Sequence, residues 1–479
     1  MKKPRDRAKP AFLERSTHPT RKEPMMTSAK ENALLKGMRE QAIELFQAAV
    51  DRVDPYEAVR RFVRLKGTTL FLGSGNQKKI TFDLDRFRRI FLVGGGKATA
   101  PMARALEDLL GQRINGGVIN VKYGFTDQLS FTEIVEAGHP LPDLNGVTGT
   151  RKIIALLEEL GEQDLIFSLI SGGGSALLPQ PANHISLEEK QALTKDLLEC
   201  GASIDEINTI RKHISSSKGG QMARAAFPAT TVNLMLSDVV GDKMDVIASG
   251  PFVPDLSSFE DAVEIFDKYK LKDLPESIST YVKKGLAHGV PETPKVGDPI
   301  FDKVHHFIIG SNVLALEAAR EAARGMEYHS LVLSSSVEGE TKDVALVHAA
   351  IAREILATGN PVSLPACIIS GGETTVTIKG TGLGGRNQEF CLTAAIAIKD
   401  LPPRIVILSG GTDGNDGPTP AAGAVVDSLT VSKGEEVGMN AAVYLANNDA
   451  FHYFEKIDQL LITGPTKTNV MDVRIILVK

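Results

Sequence analysis

At 479 residues the chain is too long for one ordinary hydrophobic core, and a prior of roughly 150 residues per domain points to two large domains. Its 54 basic residues against 59 acidic ones, a formal net charge of −5, give no global electrostatic reason to bind nucleic acid or an anionic membrane, so a small anionic ligand would be held by local groups. Cys200, Cys367 and Cys391 fit neither a disulfide framework nor a paired metal site, and no apolar run approaches the roughly 18 residues that span a bilayer, so a soluble protein of a reducing, cytoplasmic compartment is expected.

Residues 1–30, rich in Lys, Arg and Pro without an apolar period, read as a disordered tail. The missing apolar core excludes a secretory signal, and Asp6, Glu14 and Glu23 speak against a transit peptide. From Glu31 to Val53, Leu34, Leu35, Met38, Ala42, Leu45, Phe46 and Val50 recur at helical spacing until Asp54-Pro55 stops them. A polar β segment near Thr68 to Phe82 leads to a strand over Arg89–Val93. The loop Gly94-Gly95-Gly96-Lys97 then opens a helix that Gly111 closes. It is not a Walker A loop, because Ala98 stands where Ser or Thr would bind Mg²⁺, and a bare GGGK fits a surface lysine as well as an anion site. Gly117–Val121 is the next strand, and His139, beside a proline, reads as loop packing.

The stretch Asp164–Leu178, DLIFSLISGGGSALL, is nearly continuously apolar until it breaks at Ser171 into Gly172, Gly173 and Gly174, followed by Ser175. A run apolar on both faces marks a parallel strand covered by helices on both sides. Triple glycine permits close approach to a ligand and leaves amide donors for an anion, although a tight turn alone would also use it. Four other strands end alike: IFLVGGGKA at Ile90, FIIGSN at Phe307 with Ser311 and Asn312, CIISGGET at Cys367, and IVILSGGTDG at Ile405.

Ser186 and Glu189 form a capping box for a helix reaching Cys200. The helix that begins near Asp205 buries Ile207, Ile210 and Ile214, and it places Asn208, Arg211 and Lys212 on a neighbouring face, with Lys218 in the turn beyond. That face reads either as solvated or as an anion contact. Strand Thr231–Leu236 runs into Ser237-Asp238, with Asp242 and Asp245 beyond. Carboxylates at the carboxyl end of a parallel strand sit where ligands bind in open α/β sheets. Asp238 and Asp242 are therefore candidates to hold Mg²⁺ or to take a hydroxyl proton, with helix capping by Asp238 as the plain alternative.

A polar, proline-bearing region over Leu274–Asp302 reads as the boundary between domains 31–295 and 300–479, each a mostly parallel sheet flanked by helices. Beyond it, the Cys367 strand leads to Gly371, Gly372 and Glu373. A literal G-x-G-x-x-G at Gly380–Gly385 follows no first strand of a βαβ unit and has no strand-end acid about 20 residues on, so it is read as chance. Arg386, Asn387, Gln388 and Glu389 open the next helix, setting a guanidinium beside free amides, an anion-site arrangement. Asp413 and Asp416 lie in another strand-end loop, and the chain passes through Asn469 into a final strand over Val473–Val478.

Cations, glycine cradles and strand-end aspartates, without a Cys/His nucleophile pair or metal-spaced histidines, suit phosphoryl transfer, which is mostly positioning and charge neutralisation. The motifs SLISGGGSALL, EINTIRKHISSSKGG, LSDVVGDKMDVIASGP, GSN, SGGETTV, GTGLGGRNQEF, SGGTDGNDGPT and GPTKTNVMD, in this order, resemble the class II glycerate kinases, the MOFRL family. The resemblance spans nearly all of Glu31–Lys479. It implies a Rossmann-like N-terminal domain and a smaller α/β MOFRL domain, with ATP and Mg²⁺ used to phosphorylate D-glycerate at its 2-hydroxyl in the cleft between them. It implies small-molecule partners alone and a monomer or homodimer. Lys97 and Arg386 map onto the family's essential pair, and they are expected to converge on one anion while contributing little to stability. Asp238 joins them as a catalytic residue. Gly95, Gly96, Ser171, Gly172, Gly173, Gly174, Ser175, Asn208, Arg211, Lys218, Ser311, Asn312, Gly371, Glu373, Asn387, Glu389, Asp413 and Asn469 are expected to contact substrate or nucleotide. Met471 replaces an asparagine common after TNV in the family. Because some members carry the label hydroxypyruvate reductase, an NAD(P)H-dependent oxidoreductase is the rival class.

Overall fold

The computed structural model describes residues 28–73, 79–271 and 273–479. Of the segment read as a disordered tail, residues 1–27 lie outside the described residues, while residues 28–30 are helical, because the first helix starts at Ser28 and runs to Arg52. The polar β segment becomes part of a small antiparallel sheet of Val63–Lys66, Thr69–Leu72 and Ile80–Asp83.

The larger framework is two six-stranded sheets. The first is parallel throughout, in the spatial order Glu133–Ala137, Gly116–Lys122, Arg89–Gly95, Asp164–Ile170, Thr230–Leu236, Val304–Gly310. Numbered along the chain this is 3-2-1-4-5-6, the doubly wound order, whose direction of winding reverses between the Arg89–Gly95 and Asp164–Ile170 strands. Asp164–Ile170 is buried at every position, as its continuous apolar run requires.

The second sheet is mixed rather than mostly parallel. Its order is His329–Val337, Ala366–Gly372, Asp472–Val478, Ile405–Gly411, Gly423–Asp427, Leu460–Leu461, and only the first pair is parallel. The cause is the last strand, which inserts antiparallel between two strands that are parallel to each other. An apolar run such as VRIILV carries no mark of direction, so periodicity alone cannot reveal the insertion.

The boundary expected at 295–300 falls one strand short, because Val304–Gly310 hydrogen-bonds to Thr230–Leu236 and completes the first sheet. The first helix also crosses the expected division. Ser28–Arg52 packs with Asn312–Gly325 on the second sheet, where Phe46 lies against Gly410, Arg39 donates to Asp427 at 3.2 Å, and Gln41 accepts from the Tyr328 hydroxyl at 2.7 Å. One apolar core therefore runs from Leu92, Phe167 and Leu234 of the first sheet through Leu45 and Phe46 to Val406, Ile475 and Leu477 of the second.

A shared core of this kind predicts cooperative unfolding. Phe46, 1% exposed, should cost roughly 3 to 5 kcal/mol on truncation to alanine. Calorimetry of Phe46→Ala is expected to show a single transition moved to lower temperature. Two transitions of which only one shifts would mean that the sheets fold independently.

Candidate active site

The carboxyl ends of the first sheet meet at the point where its winding reverses, and there the two glycine loops interlock. Lys97 N–H donates to the Gly172 carbonyl at 2.9 Å, and Ala98 N–H donates to Ser171 Oγ at 3.0 Å. At Gly96, φ is +151° and a side chain would sit 2.1 Å from Ser171 Oγ. A Cβ on Gly95 would strike Leu178, and one on Gly174 would strike Ala248. Gly95, Gly96, Ser171 and Gly174 thus build the loops. Ser175 Oγ meets Ser249 Oγ at 2.7 Å, and Ser249 donates to Asn208 Oδ1 at 3.1 Å, so Ser175 and Asn208 tie the loop to the helix Ile204–His213.

Gly172 is buried and Gly173 partly exposed at the edge of this construction. A Cβ on Gly172 would lie 2.3 Å from Asp238 Oδ2, and Gly173 faces the His139 ring and the Lys97 stem. Lys97, His139 and Asp238 therefore surround one patch of glycine backbone. Asp238 is enclosed by protein atoms but keeps an edge open to solvent. Burial pushes its carboxyl up to about 6, against the pull of Lys97, and the Glu373 carboxylate of the second lobe adds to the rise. Burial beside Lys97 and Lys122 lowers His139 to about 4, so the ring is neutral at pH 7. His139, read from sequence as loop packing, stands at the site. No cluster of three metal-binding side chains forms among the described residues.

Across from this patch lies Arg386, at the start of the helix Arg386–Ile398. Its Nε and Nη2 grip the Asp472 carboxylate at 2.7 and 2.9 Å, and Nη1 meets Glu373 at 2.7 Å. Asp472 is fully buried, and it also accepts from Arg474 at 3.2 Å and from Asn387 Nδ2 at 2.9 Å. The amides of Asn387 and Gln388 end on the Asp416 carboxylate at 3.0 and 2.8 Å. The helix start read as an open anion site is thus filled by the protein itself, and only the Nη1 side of Arg386 faces a group able to move, the 46% exposed Glu373. Removing Arg386 would strip Asp472 of its forked partner at a cost on the order of 3 kcal/mol, contrary to the small stability role expected for a cleft charge.

Several other expected contact residues make bonds within the protein. Asn312 Nδ2 clamps the carbonyls of Val470 and Asp472 at 2.8 and 2.9 Å, and Gly371 leaves room for it. Ser311 is buried at the head of that helix. Asn387 is buried among Asp416, Asp472 and Ser409. Glu389 turns to Asn448 at 2.9 Å and Lys342 at 3.6 Å, Asp413 accepts from the Asn415 amide, and Asn469 accepts from the Met471 amide. Arg211 and Lys218 instead line a cavity with Gly173 and Ser175. Asp472 and Arg474 were missed, yet two charged residues at i and i+2 in an otherwise apolar strand lie on one face, which is the available signal of a buried charge network.

Residues 41–283 match the model of a domain of unknown function, DUF4147, and residues 366–472 match the MOFRL family. D-glycerate 2-kinase of Thermotoga maritima is 40% identical over 438 residues, 91% of this chain and 97% of that protein. A relative from Agrobacterium vitis, provisionally named a hydroxypyruvate reductase, is 41% identical over 392 residues, 81% of this chain and 87% of its own length. The crystal structure of glycerate kinase from Thermotoga maritima superposes with a TM-score of 0.83 at 39% identity, covering 93% of this chain and 100% of that one. The chain belongs to the class II glycerate kinases of the MOFRL family.

Proposed function

We propose that this chain transfers the γ-phosphoryl group of ATP to the 2-hydroxyl of D-glycerate, yielding 2-phosphoglycerate and ADP, in the cleft between its two sheets. The observation that carries the reading is Asp238, a carboxylate raised to about 6 between Lys97 of its own lobe and the Glu373–Arg386 pair of the other. A base must lie within hydrogen-bond reach of the acceptor proton and near the working pH to draw it off as the phosphoryl group arrives. Lys97 supplies a positive charge that neutralises the transferring oxygens. Arg386, fixed by Asp472, offers its Nη1 side to an anion when Glu373 gives way, and the planar guanidinium suits a carboxylate or phosphate.

Asp238, with Glu373 contributed by the second lobe, would hold Mg²⁺, which commonly takes one or two carboxylates and completes its shell with phosphate oxygens and water. When bound, Mg²⁺ neutralises charge on the phosphates. Three unpaired cysteines, two of them buried, suit a reducing cytoplasmic compartment, and no helix among the described residues is long and apolar enough to cross a membrane.

A nicotinamide-dependent reductase is the weaker reading. The glycines of the G-x-G-x-x-G stretch are occupied by the protein: a Cβ on Gly380 would lie 2.2 Å from the Asn447 carbonyl, the amides of Lys379 and Gly380 end on Asn448 Oδ1, and Leu383 N–H ends on Asp449. A dinucleotide pyrophosphate needs those amides free.

Incubation with ATP, Mg²⁺ and D-glycerate, read by ³¹P and ¹³C NMR, is expected to give phosphate on C2 and ADP release that depends on glycerate. Oxidation of NAD(P)H by hydroxypyruvate without such ADP release would refute the kinase reading. Below about pH 6 Asp238 carries its own proton and cannot accept another, so kcat/KM should fall as pH drops through that value. Asp238→Asn should lower turnover at least about a hundredfold and abolish this acid limb. A variant retaining both rate and limb would remove Asp238 from the reaction.

A further inference from the structure

A cavity of about 730 Å³ opens in the first lobe beside the triple-glycine loop. Leu141, Ala176 and Pro179 give it an apolar wall, and Lys190, Arg211 and Lys218 line it as cations. Lys218 is 1% exposed, with its ammonium on the Ser175 carbonyl at 2.8 Å, and Lys190 is 6% exposed, on the Pro179 carbonyl at 3.2 Å. Among the described residues none of the three cations has a carboxylate partner, and the Arg211 guanidinium makes no hydrogen bond. Glu188, also on the lining, pairs with none of them.

Three uncompensated cations around one cavity are unfavourable in the empty protein, since buried charges are ordinarily paired. Burial lowers all three, Lys190 to about 7, and Arg211 depresses both lysines further. An anion with several charges relieves this. A three-carbon hydroxy acid would leave most of the volume empty, whereas sites of roughly 300 to 1,000 Å³ hold larger ligands with an apolar body and a few polar anchors. Position narrows the choice: Gly173 and His139 line the cavity, and Gly173 abuts the Lys97 stem beside Asp238. A chain of phosphates along the cations therefore ends at the reacting groups.

The geometry points to this cavity as the adenine-nucleotide site, with the base on Leu141, Ala176 and Pro179, the polyphosphate on Lys190, Arg211 and Lys218, and the terminal phosphate at Gly173 beside Lys97. The acceptor is left to the side of the cleft formed by Asp238, Glu373 and Arg386. The assignment rests on the kinase reading above for its direction of transfer, but not for nucleotide binding itself.

Arg211→Ala is the informative variant, because the guanidinium holds nothing within the protein. Its melting temperature without ligand should be unchanged or higher, as an unpaired cation is removed. ATP titrated calorimetrically without glycerate should bind at least tenfold more weakly than to the unaltered protein, and KM for ATP should rise alike while KM for glycerate stays within twofold. Arg211→Lys should recover part of the loss. Ala176→Phe, which narrows the apolar wall without altering charge, should weaken ATP but not inorganic triphosphate. Unchanged ATP affinity in Arg211→Ala, or a rise confined to KM for glycerate, would overturn the assignment. If the protein binds ATP through Arg211 yet shows no glycerate-dependent turnover, the kinase reading fails and the nucleotide site stands.

Discussion

The second lobe depends on one buried carboxylate. Asp472 has no solvent exposure, yet it holds the fork of Arg386, a nitrogen of Arg474 and the amide of Asn387, while its own carbonyl takes the Asn312 side chain. Taking one partner from such a cluster leaves an uncompensated charge in a poorly polarisable interior, which is why buried ion networks are costly to break even where their net contribution is small. Arg474 closes the network from below, with its guanidinium 5.3 Å from the Phe390 ring centre. What this arrangement secures is direction. It turns two sides of Arg386 inward and leaves the third toward Glu373 and the cleft.

The first lobe achieves its precision differently, through backbone. Where the winding of the parallel sheet reverses, the connections leave the strand ends in opposite directions and open a crevice there. The glycine loops fill its floor by fitting into each other, Gly96 against Ser171 and Lys97 N–H on Gly172, and this presses Asp238 against bare backbone at Gly172. Burial raises the Asp238 carboxyl, and Lys97 and Glu373 then pull it in opposite directions. A base, a fixed cation and a movable acid thus come from strand ends whose positions are set by hydrogen bonds far from any ligand. The shared core around Phe46 keeps the two lobes in register.

Much of the first lobe was legible in the chain. Unbroken apolar runs ending in glycine give parallel strands with ligand-facing ends, and the Ser186 and Glu189 capping box forms as written. The second lobe was less so, for physical reasons. The final strand reads as apolar whichever way it runs, so its antiparallel insertion between two earlier strands was invisible. Helical spacing in Ser28–Arg52 tells that one face is buried, not which sheet buries it. Arg386 looked like an open anion contact because its partner Asp472 is 86 residues away, and the amides beside it looked free because Asp416 lies in another loop. Glycine is ambiguous in the same way: Gly96 accommodates Ser171, Gly172 accommodates Asp238, and sequence cannot distinguish room for a neighbour from room for a ligand.

The central claim is that charges from both lobes act on one transferring group. It is tested most directly by a double-mutant cycle on kcat/KM with Lys97→Ala and Arg386→Ala, rates being expressed per folded molecule so that the loss of the Asp472 partner does not intrude. Two residues that act on one transferring group should show a coupling of at least about 1 kcal/mol, the double variant losing less than the product of the single losses. Strictly multiplicative losses would contradict the account, because they would mean that the two charges do not act together on the group in transfer.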